Sequence, residues 1–424
     1  MERLALILAM MACISLVTSP ATAADYTLGI FGNANMDDTI DEKDIAYLEG
    51  VIKGTNPATN LSDANYDGKI DARDIDQIEK IINGDEKEIT IIDDTVTDDF
   101  PNGKPVTIIQ PVKSIIALHS NSAEIITLLG AKDKVVGIDK YIADDTKFFP
   151  QMSKLSIAGS MSDPDTEKIL QLKPDMIVAY GSDFTKWSTD LENRLIDTNI
   201  SLVRLDCYKP ETMSDDIIKL GYILNERDKA EEFIDWYEGY LSIIDDRVGK
   251  LTEDEMPRVY VEGYTDYKTY SKGTGAHQAC ILAGGNNIAS DLQSSYPNVD
   301  PEWVMTQNPD IILKVVSSTR VAGGYDEDDP SQMKATWEEI MNRPEIKNVK
   351  AVKDKKVYLI YAGGVWNDPK YFIGLIYLGK WFHTDLFKDL DPQAIHQEYL
   401  TRFQHLDYDL DKHGVFIYPP LEER

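Results

Sequence analysis

The tightest constraint on this chain is a thirty-residue repeat near its N-terminus. Asn33, Asn35, Asp37, Thr39, Asp41 and Asp44 are followed, thirty positions later, by Asp63, Asn65, Asp67, Lys69, Asp71 and Asp74. Each set falls at positions 1, 3, 5, 7, 9 and 12 of a loop in which alternate residues aim oxygen atoms at one hard cation, as calcium requires. Position 7 gives its backbone carbonyl, so threonine and lysine serve there. The repeat runs on past the loops. Ile45, Leu48, Val51 and Ile52 recur as Ile75, Ile78, Ile81 and Ile82, and Gly54 recurs as Gly84. Those spacings predict a short helix with one apolar stripe behind each loop. Residues 25–99 hold 20 acids against 6 bases, a concentration of carboxylates that a bound cation would relieve.

These residues resemble the dockerin module. The likeness covers residues 25–84 and implies a small all-α domain with two bound Ca2+ ions, and a cohesin domain on a scaffold protein as partner. It departs at the first loop, where Asn33 replaces the usual aspartate and Asp38 replaces the loop glycine. The expectation is weaker calcium binding there, and a backbone at Asp38 that only glycine adopts without strain. About 60 residues without a disulfide make too small a core to stand comfortably alone, so calcium-dependent folding is expected.

Before the repeat, Arg3 precedes an apolar run from Leu4 to Val17 and the small residues Ser19-Pro20-Ala21-Thr22-Ala23-Ala24. This is the pattern of a signal peptide over residues 1–23, and it places the protein outside the cell or at its surface. The run falls short of the roughly 20 residues a spanning helix needs. The net charge of −30 opposes contact with phosphate backbones, which excludes nucleic acid and favours cationic or metal partners. Three cysteines make no disulfide framework, and whether Cys207 and Cys280 pair depends on their backbone separation.

Residues 85–104, with their acids, Pro101 and Gly103, read as a linker. Beyond them strand-length apolar runs such as Ser114 to Leu118 and Lys134 to Ile138 alternate with amphipathic stretches, the signature of an α/β fold. An echo appears at an offset of 135 residues. Glu167-Lys168-Ile169-Leu170 leads to Pro174-Asp175-Met176-Ile177-Val178, as Glu302-Trp303-Val304-Met305 leads to Pro309-Asp310-Ile311-Ile312-Leu313. Two lobes on one plan are therefore expected, at residues 105–210 and 256–424. Residues 211–255 between them, proline-poor and with apolar residues at helical spacing, predict one long connecting helix.

These units, together with Ser122-Ala123-Glu124-Ile125, Leu129-Gly130-Ala131 and Ala283-Gly284-Gly285-Asn286-Asn287, resemble the substrate-binding proteins of iron-complex and cobalamin ABC importers. The resemblance runs from about residue 105 to the C-terminus. It implies two Rossmann-like lobes joined by a helix, a transported metal chelate (ferric siderophore, heme or cobalamin) in the cleft, and no enzymatic activity. It also implies that Glu167 and Glu302 dock onto arginines of the importer's permease. Two exposed ion pairs at a fixed spacing, each of about 0.2–1 kcal/mol, give orientation and easy release rather than tight binding.

Ligands in such sheets gather beyond the carboxyl ends of strands. The candidates there are His119, Tyr141, Tyr180 and Tyr208 in the first lobe and Tyr264, Tyr267, Arg320 and Trp366 in the second. Flat rings suit a macrocycle or an aromatic chelate. The chain holds no nucleophile elbow, zinc helix, Cys-x-x-Cys pair or phosphate loop. The competing expectation is a scaffold-bound binding or adhesion protein for another organic ligand, without a permease.

Overall fold

The computed structural model describes residues 26–366 and 368–421; the signal-peptide segment lies outside the described residues. Behind each acidic loop stands the expected helix, α1 (Glu42–Ile52) and α2 (Ala72–Asn83). Asp41 and Asp71 cap them, and the residue at the third helical position, Asp44 or Asp74, accepts the cap residue's own amide. Both ends of each capping box are thus satisfied.

Residues 85–104 are not a linker. They contain strand β1 (Glu88–Asp93), which pairs antiparallel with β2 (Lys104–Ile109), Glu88 facing Ile109 and Asp93 facing Lys104. The chain entering the first loop lies along the free edge of β1: the Phe31 amide donates to Thr90 O at 2.9 Å and the Ile92 amide to Gly29 O at 2.7 Å. The other side of the hairpin reaches the first lobe, where the Arg204 amide donates to Asp93 and the Asp94 amide to Arg204 O. Acidic residues at both ends of β1 mask three buried positions, Ile89, Thr90 and Ile91. One continuous apolar cluster runs from Leu28, Leu48 and Ile78 through Ile89 and Ile108 into the first lobe.

The first lobe is a parallel sheet of β3 (Ile115–Ala117), β4 (Val135–Ile138), β5 (Ser156–Ile157), β6 (Met176–Ala179) and β7 (Ser201–Arg204), in the order β5-β4-β3-β6-β7. Between them come α3 (Ser120–Leu128) and α4 (Thr166–Leu172). Every residue of β3 and β6 is buried, as parallel strands covered on both faces must be.

The long connecting helix is two helices, α5 (Met213–Leu224) and α6 (Arg227–Val248). The break is at Asn225, whose φ of 56° is left-handed. At this corner a Cβ on Gly221 would come within 2.8 Å of the Ala230 side chain, so glycine permits the close crossing. Helix α5 is buried along nearly its whole length and belongs to the first lobe. Helix α6 alone makes the join.

The second lobe repeats the plan with β8 (Arg258–Glu262), α7 (Gly275–Leu282), β9 (Asn286–Asn287), α8 (Pro301–Gln307), β10 (Ile311–Val316), α9 (Ser331–Met341), β11 (Val357–Tyr361) and, at the antiparallel edge, β12 (Ile417–Tyr418). Its order is β9-β8-β10-β11-β12. Helices α10 (Tyr371–Phe382) and α11 (Pro392–Glu398) follow β11, and Phe372 of α10 meets the ring of Trp236 on α6 at 5.3 Å. The two Glu…Pro-Asp units hold equivalent places. Helices α4 and α8 end on left-handed residues, Lys173 and Asn308. Asp175 then accepts the Ser114 amide at 2.8 Å and Asp310 the Arg258 amide at 2.9 Å, each fastening the entry of the neighbouring strand.

Candidate functional site

The ends of the first-lobe strands present a chain of rings. His119 caps α3, its Nδ1 accepting the Ser122 amide at 3.1 Å, and it is buried. Burial holds its pKa down to about 3, so the imidazole is neutral. Tyr180, following β6, stacks on it at 3.9 Å. Phe184 lies 5.5 Å from Tyr180, Trp187 stacks on Phe184 at 4.4 Å, and Tyr208 meets Tyr180 edge-on at 6.0 Å. Tyr141 is exposed under the Lys140 ammonium, 4.8 Å from the ring centroid.

The second lobe answers with Tyr264, whose phenol is raised by burial and then by the neighbouring Tyr296 and Tyr361 phenols. Tyr296 is exposed, with Tyr270 edge-on at 5.8 Å and Lys268 over its ring. The lobes approach one another here. Burial first, then Asp206, Asp183 and the second-lobe Tyr296, push up the Tyr208 phenol. Gln278 of α7 donates to Glu211 of the first lobe at 2.6 Å, and Phe148 packs on Tyr325 with centroids 4.8 Å apart. Between these contacts Asp145 is raised to about 6 by burial and then by Asp326 of the other lobe. Phenols of both lobes, Tyr208 and Tyr296, thus come within reach of one another where the lobes approach.

Of the sequence candidates, Tyr180, Tyr208 and Tyr264 come together in this arrangement, and Tyr141 is exposed on the helix after β4. His119 lies beneath Tyr180 rather than in the open. Arg320 is exposed in the turn after β10 and enters no ion pair among the described residues. Trp366 is 8 % exposed and packs in the apolar core. Tyr267 has a left-handed φ of 56° and lies under Arg343, 4.9 Å from the ring. It joins a buried charge cluster in which Glu262 pairs with Lys314 at 2.9 Å and with Arg343 at 2.8 Å. Sequence reasoning misses Trp187, which stacks on Phe184, and Tyr296 and Tyr361, which come within reach of first-lobe groups, because nothing in their local sequence marks them.

Glu167 and Glu302 are both exposed in the first turns of the equivalent helices α4 and α8. Neither enters an ion pair among the described residues. Cys207 and Cys280 are buried free thiols.

The two acidic loops share one framework of amide-to-side-chain bonds. The Asp37 amide donates to Asn33 Oδ1 at 3.1 Å and to Asn35 Oδ1 at 3.0 Å, as the Asp67 amide does to Asp63 and Asn65. Thr39 and Lys69 amides donate to Asp37 and Asp67, and Asp44 and Asp74 each accept two loop amides. The departures in loop 1 have physical reasons. The Asn33 side-chain amide donates to Leu28 O at 2.9 Å and Asp37 O at 2.6 Å, which a carboxylate could not do. Asp38 is not left-handed: that conformation falls on Met36 in loop 1 and on Tyr66 and Gly68 in loop 2, so the expected strain is absent. Among the described residues no three His, Cys, Asp or Glu side chains form a metal cluster. A cation in either loop therefore draws on asparagine and backbone oxygens as well.

Two α/β lobes built on one plan, joined by one helix and touching through tyrosines of both, are the architecture of a solute-binding protein. The family model described as periplasmic binding protein matches residues 115–362, and the chain belongs to that family, the non-enzymatic substrate-binding proteins of ABC transporters. It is 23% identical to the molybdate-binding protein MolA of Haemophilus influenzae, over 73% of this chain and 90% of that protein. It is 26% identical to the vitamin B12-binding protein of Yersinia pestis, over 50% and 71%. The TroA-like periplasmic binding protein FepB from Veillonella parvula shares the fold with a TM-score of 0.66 at 23% identity, covering 77% of this chain and 98% of that one. The acidic loops precede the matched region. No helix among the described residues is long and apolar enough to cross a membrane.

Proposed function

We propose that this protein captures a metal chelate between its lobes outside the cytoplasm and delivers it to the permease of an ABC importer. The observation that carries this reading is the gathering of rings where the lobes approach, Tyr180, Phe184 and Tyr208 on one lobe and Tyr264 and Tyr296 on the other, with Tyr208 and Tyr296 in reach of each other. A small oxyanion, such as the one in the name of the Haemophilus relative, needs convergent donors rather than rings. A ferric siderophore, heme or cobalamin offers wide flat or apolar faces that rings cover at low entropic cost. Glu167 and Glu302 meet permease arginines, and two Ca2+ ions occupy the N-terminal loops. Cohesin recognition rests on the dockerin resemblance, and the packing of the module on β1 would make any such scaffold attachment a rigid one.

Fluorescence titration of the calcium-loaded protein with a ferric siderophore, heme, cobalamin and molybdate tests the ligand class. Quenching by one chelate with saturation is expected. Silence towards every chelate by a folded protein overturns the proposal and leaves the permease-free adhesion reading.

A further inference from the structure

The interlobe contact contains a charged group that ligand capture does not use directly. Glu124, on α3 of the first lobe, and Lys370, just before α10 of the second, pair at 2.6 Å, and each is only 2 % exposed. Tyr399 donates its hydroxyl to the same carboxylate. Gln404 Nε2 donates to Glu124 O at 3.2 Å and to the Tyr399 hydroxyl oxygen at 2.9 Å. The ammonium also lies over Phe148 of the first lobe and Tyr399 of the second, at 4.7 and 5.5 Å.

The network continues to the segment after β11. Asp368 lies 3.3 Å from Lys370 Nζ, accepts the Lys370 amide at 3.2 Å, and accepts the Gly364 amide at 3.0 Å. Gly364 has φ 115°, and a Cβ there would come within 2.6 Å of Phe416. Its conformation is therefore held from both sides.

We propose that Glu124 and Lys370 form a buried bolt that fixes the separation of the two lobes and, through Asp368, holds Gly364, Val365 and Trp366 in register with it. Both are positioning residues for the arrangement of the lobes, and the inference rests on the interlobe reading given above. A buried ion pair is a poor source of stability, because desolvation offsets the attraction. Its hydrogen bonds, however, have direction, whereas ring contacts such as Phe148 on Tyr325 permit sliding. A directional pair buried within this interlobe contact selects one arrangement.

The test is the distance between spin labels on exposed sites of the two lobes, Ile196→Cys and Lys347→Cys, measured by pulsed electron resonance on the full chain. The parent is expected to give one narrow distribution. Glu124→Gln with Lys370→Met, which removes both charges together, is expected to at least double its width. An unchanged width in a folded double variant overturns the proposal. Hydrogen exchange on the unmodified chain gives a second reading that needs no variant to fold. The Gly364 and Lys370 amides should exchange within about ten-fold of the α3 amides, as one cooperative unit, and exchange at Gly364 about a hundred-fold faster overturns the link. Neither measurement involves a ligand, so failure of chelate capture is a separate result.

Discussion

The hydroxyl of Tyr222 accepts the amide of Ile40 at 3.0 Å, joining the first acidic loop to the corner where α5 turns into α6. Arg227 stacks on the Tyr222 ring, donates to Thr39 Oγ1 at 2.8 Å and reaches Ile40 O at 3.4 Å. Thr39 and Ile40 stand at positions 7 and 8 of that loop, so its state is coupled to the helix that joins the lobes.

Calcium should therefore stabilise the first lobe and the loops as one body. In calorimetry, one transition covering both is expected to move upward with calcium, by about 2.7 kcal/mol at roughly one hundred times the dissociation constant. A separate calcium-sensitive transition, with the remainder unmoved, would show an independent module. Tyr222→Phe leaves the Ile40 amide without its acceptor and should cost about 1–3 kcal/mol in denaturant unfolding.

Glu262 is the centre of the second lobe's buried charge cluster, holding Lys314 and Arg343. Glu262→Ala leaves two buried cations facing only Asp266. A loss of about 3–5 kcal/mol is expected in urea unfolding, while Asp266→Asn, at the exposed edge, should cost less.

Two opposing sets of buried groups set how stability varies between about pH 8 and 5 at saturating calcium. Burial lifts Asp94 to about 6, with Asp206 adding to the effect against Lys219. Burial likewise lifts Asp145 to about 6 and Glu124 to about 7, the latter against Lys370. A carboxyl whose folded pKa exceeds its unfolded value contributes stability that is complete below about 4 and is lost as pH climbs through about 6 to 7. For Asp94 the contribution is at most about 3 kcal/mol. Glu192 works in reverse: burial would raise it, but Arg204 and Lys104 hold it low, so its contribution fades as pH falls below about 4. His119 and His396 oppose the carboxyls: burial holds both imidazoles neutral, so their contribution is complete above about 6.5 and is lost as pH falls below it. Thermal midpoints should therefore stay nearly level between about pH 8 and 5, and a steep climb towards either end of that range would contradict these directions.

Reversing Glu167 and Glu302 to Lys together should abolish uptake in reconstituted vesicles and leave ligand affinity within about two-fold, because exposed charges steer docking without entering the ligand seat. Both lie in first helical turns and enter no ion pair among the described residues. Unchanged uptake would remove the docking role.

Much of this architecture was legible because it is written in local periods. The loop spacing places Asp41 and Asp71 at helix caps, the 135-residue echo places Asp175 and Asp310 under equivalent strands, and the buried runs of β3, β6 and β10 need covering on both faces. What failed locally was β1, where Glu88 and Asp93 bracket a short apolar core and imitate a linker, and the corner at Asn225, which has no proline to announce it. Of the ring wall, strand ends located Tyr180, Tyr208 and Tyr264 but not Tyr296, and they also pointed to Trp366, whose ring packs in the core.

By itself the sequence determined the two acidic loops and their helices, the twofold plan of the lobes and the pair of outward glutamates, since each depends on residues within a few turns of one another. Only the tertiary structure decided that the loops are built into the first lobe, that Glu124 meets Lys370 across 246 residues, and which rings face one another. Those contacts join segments far apart along the chain, and side-chain spacing carries no information about which distant surface a residue will meet.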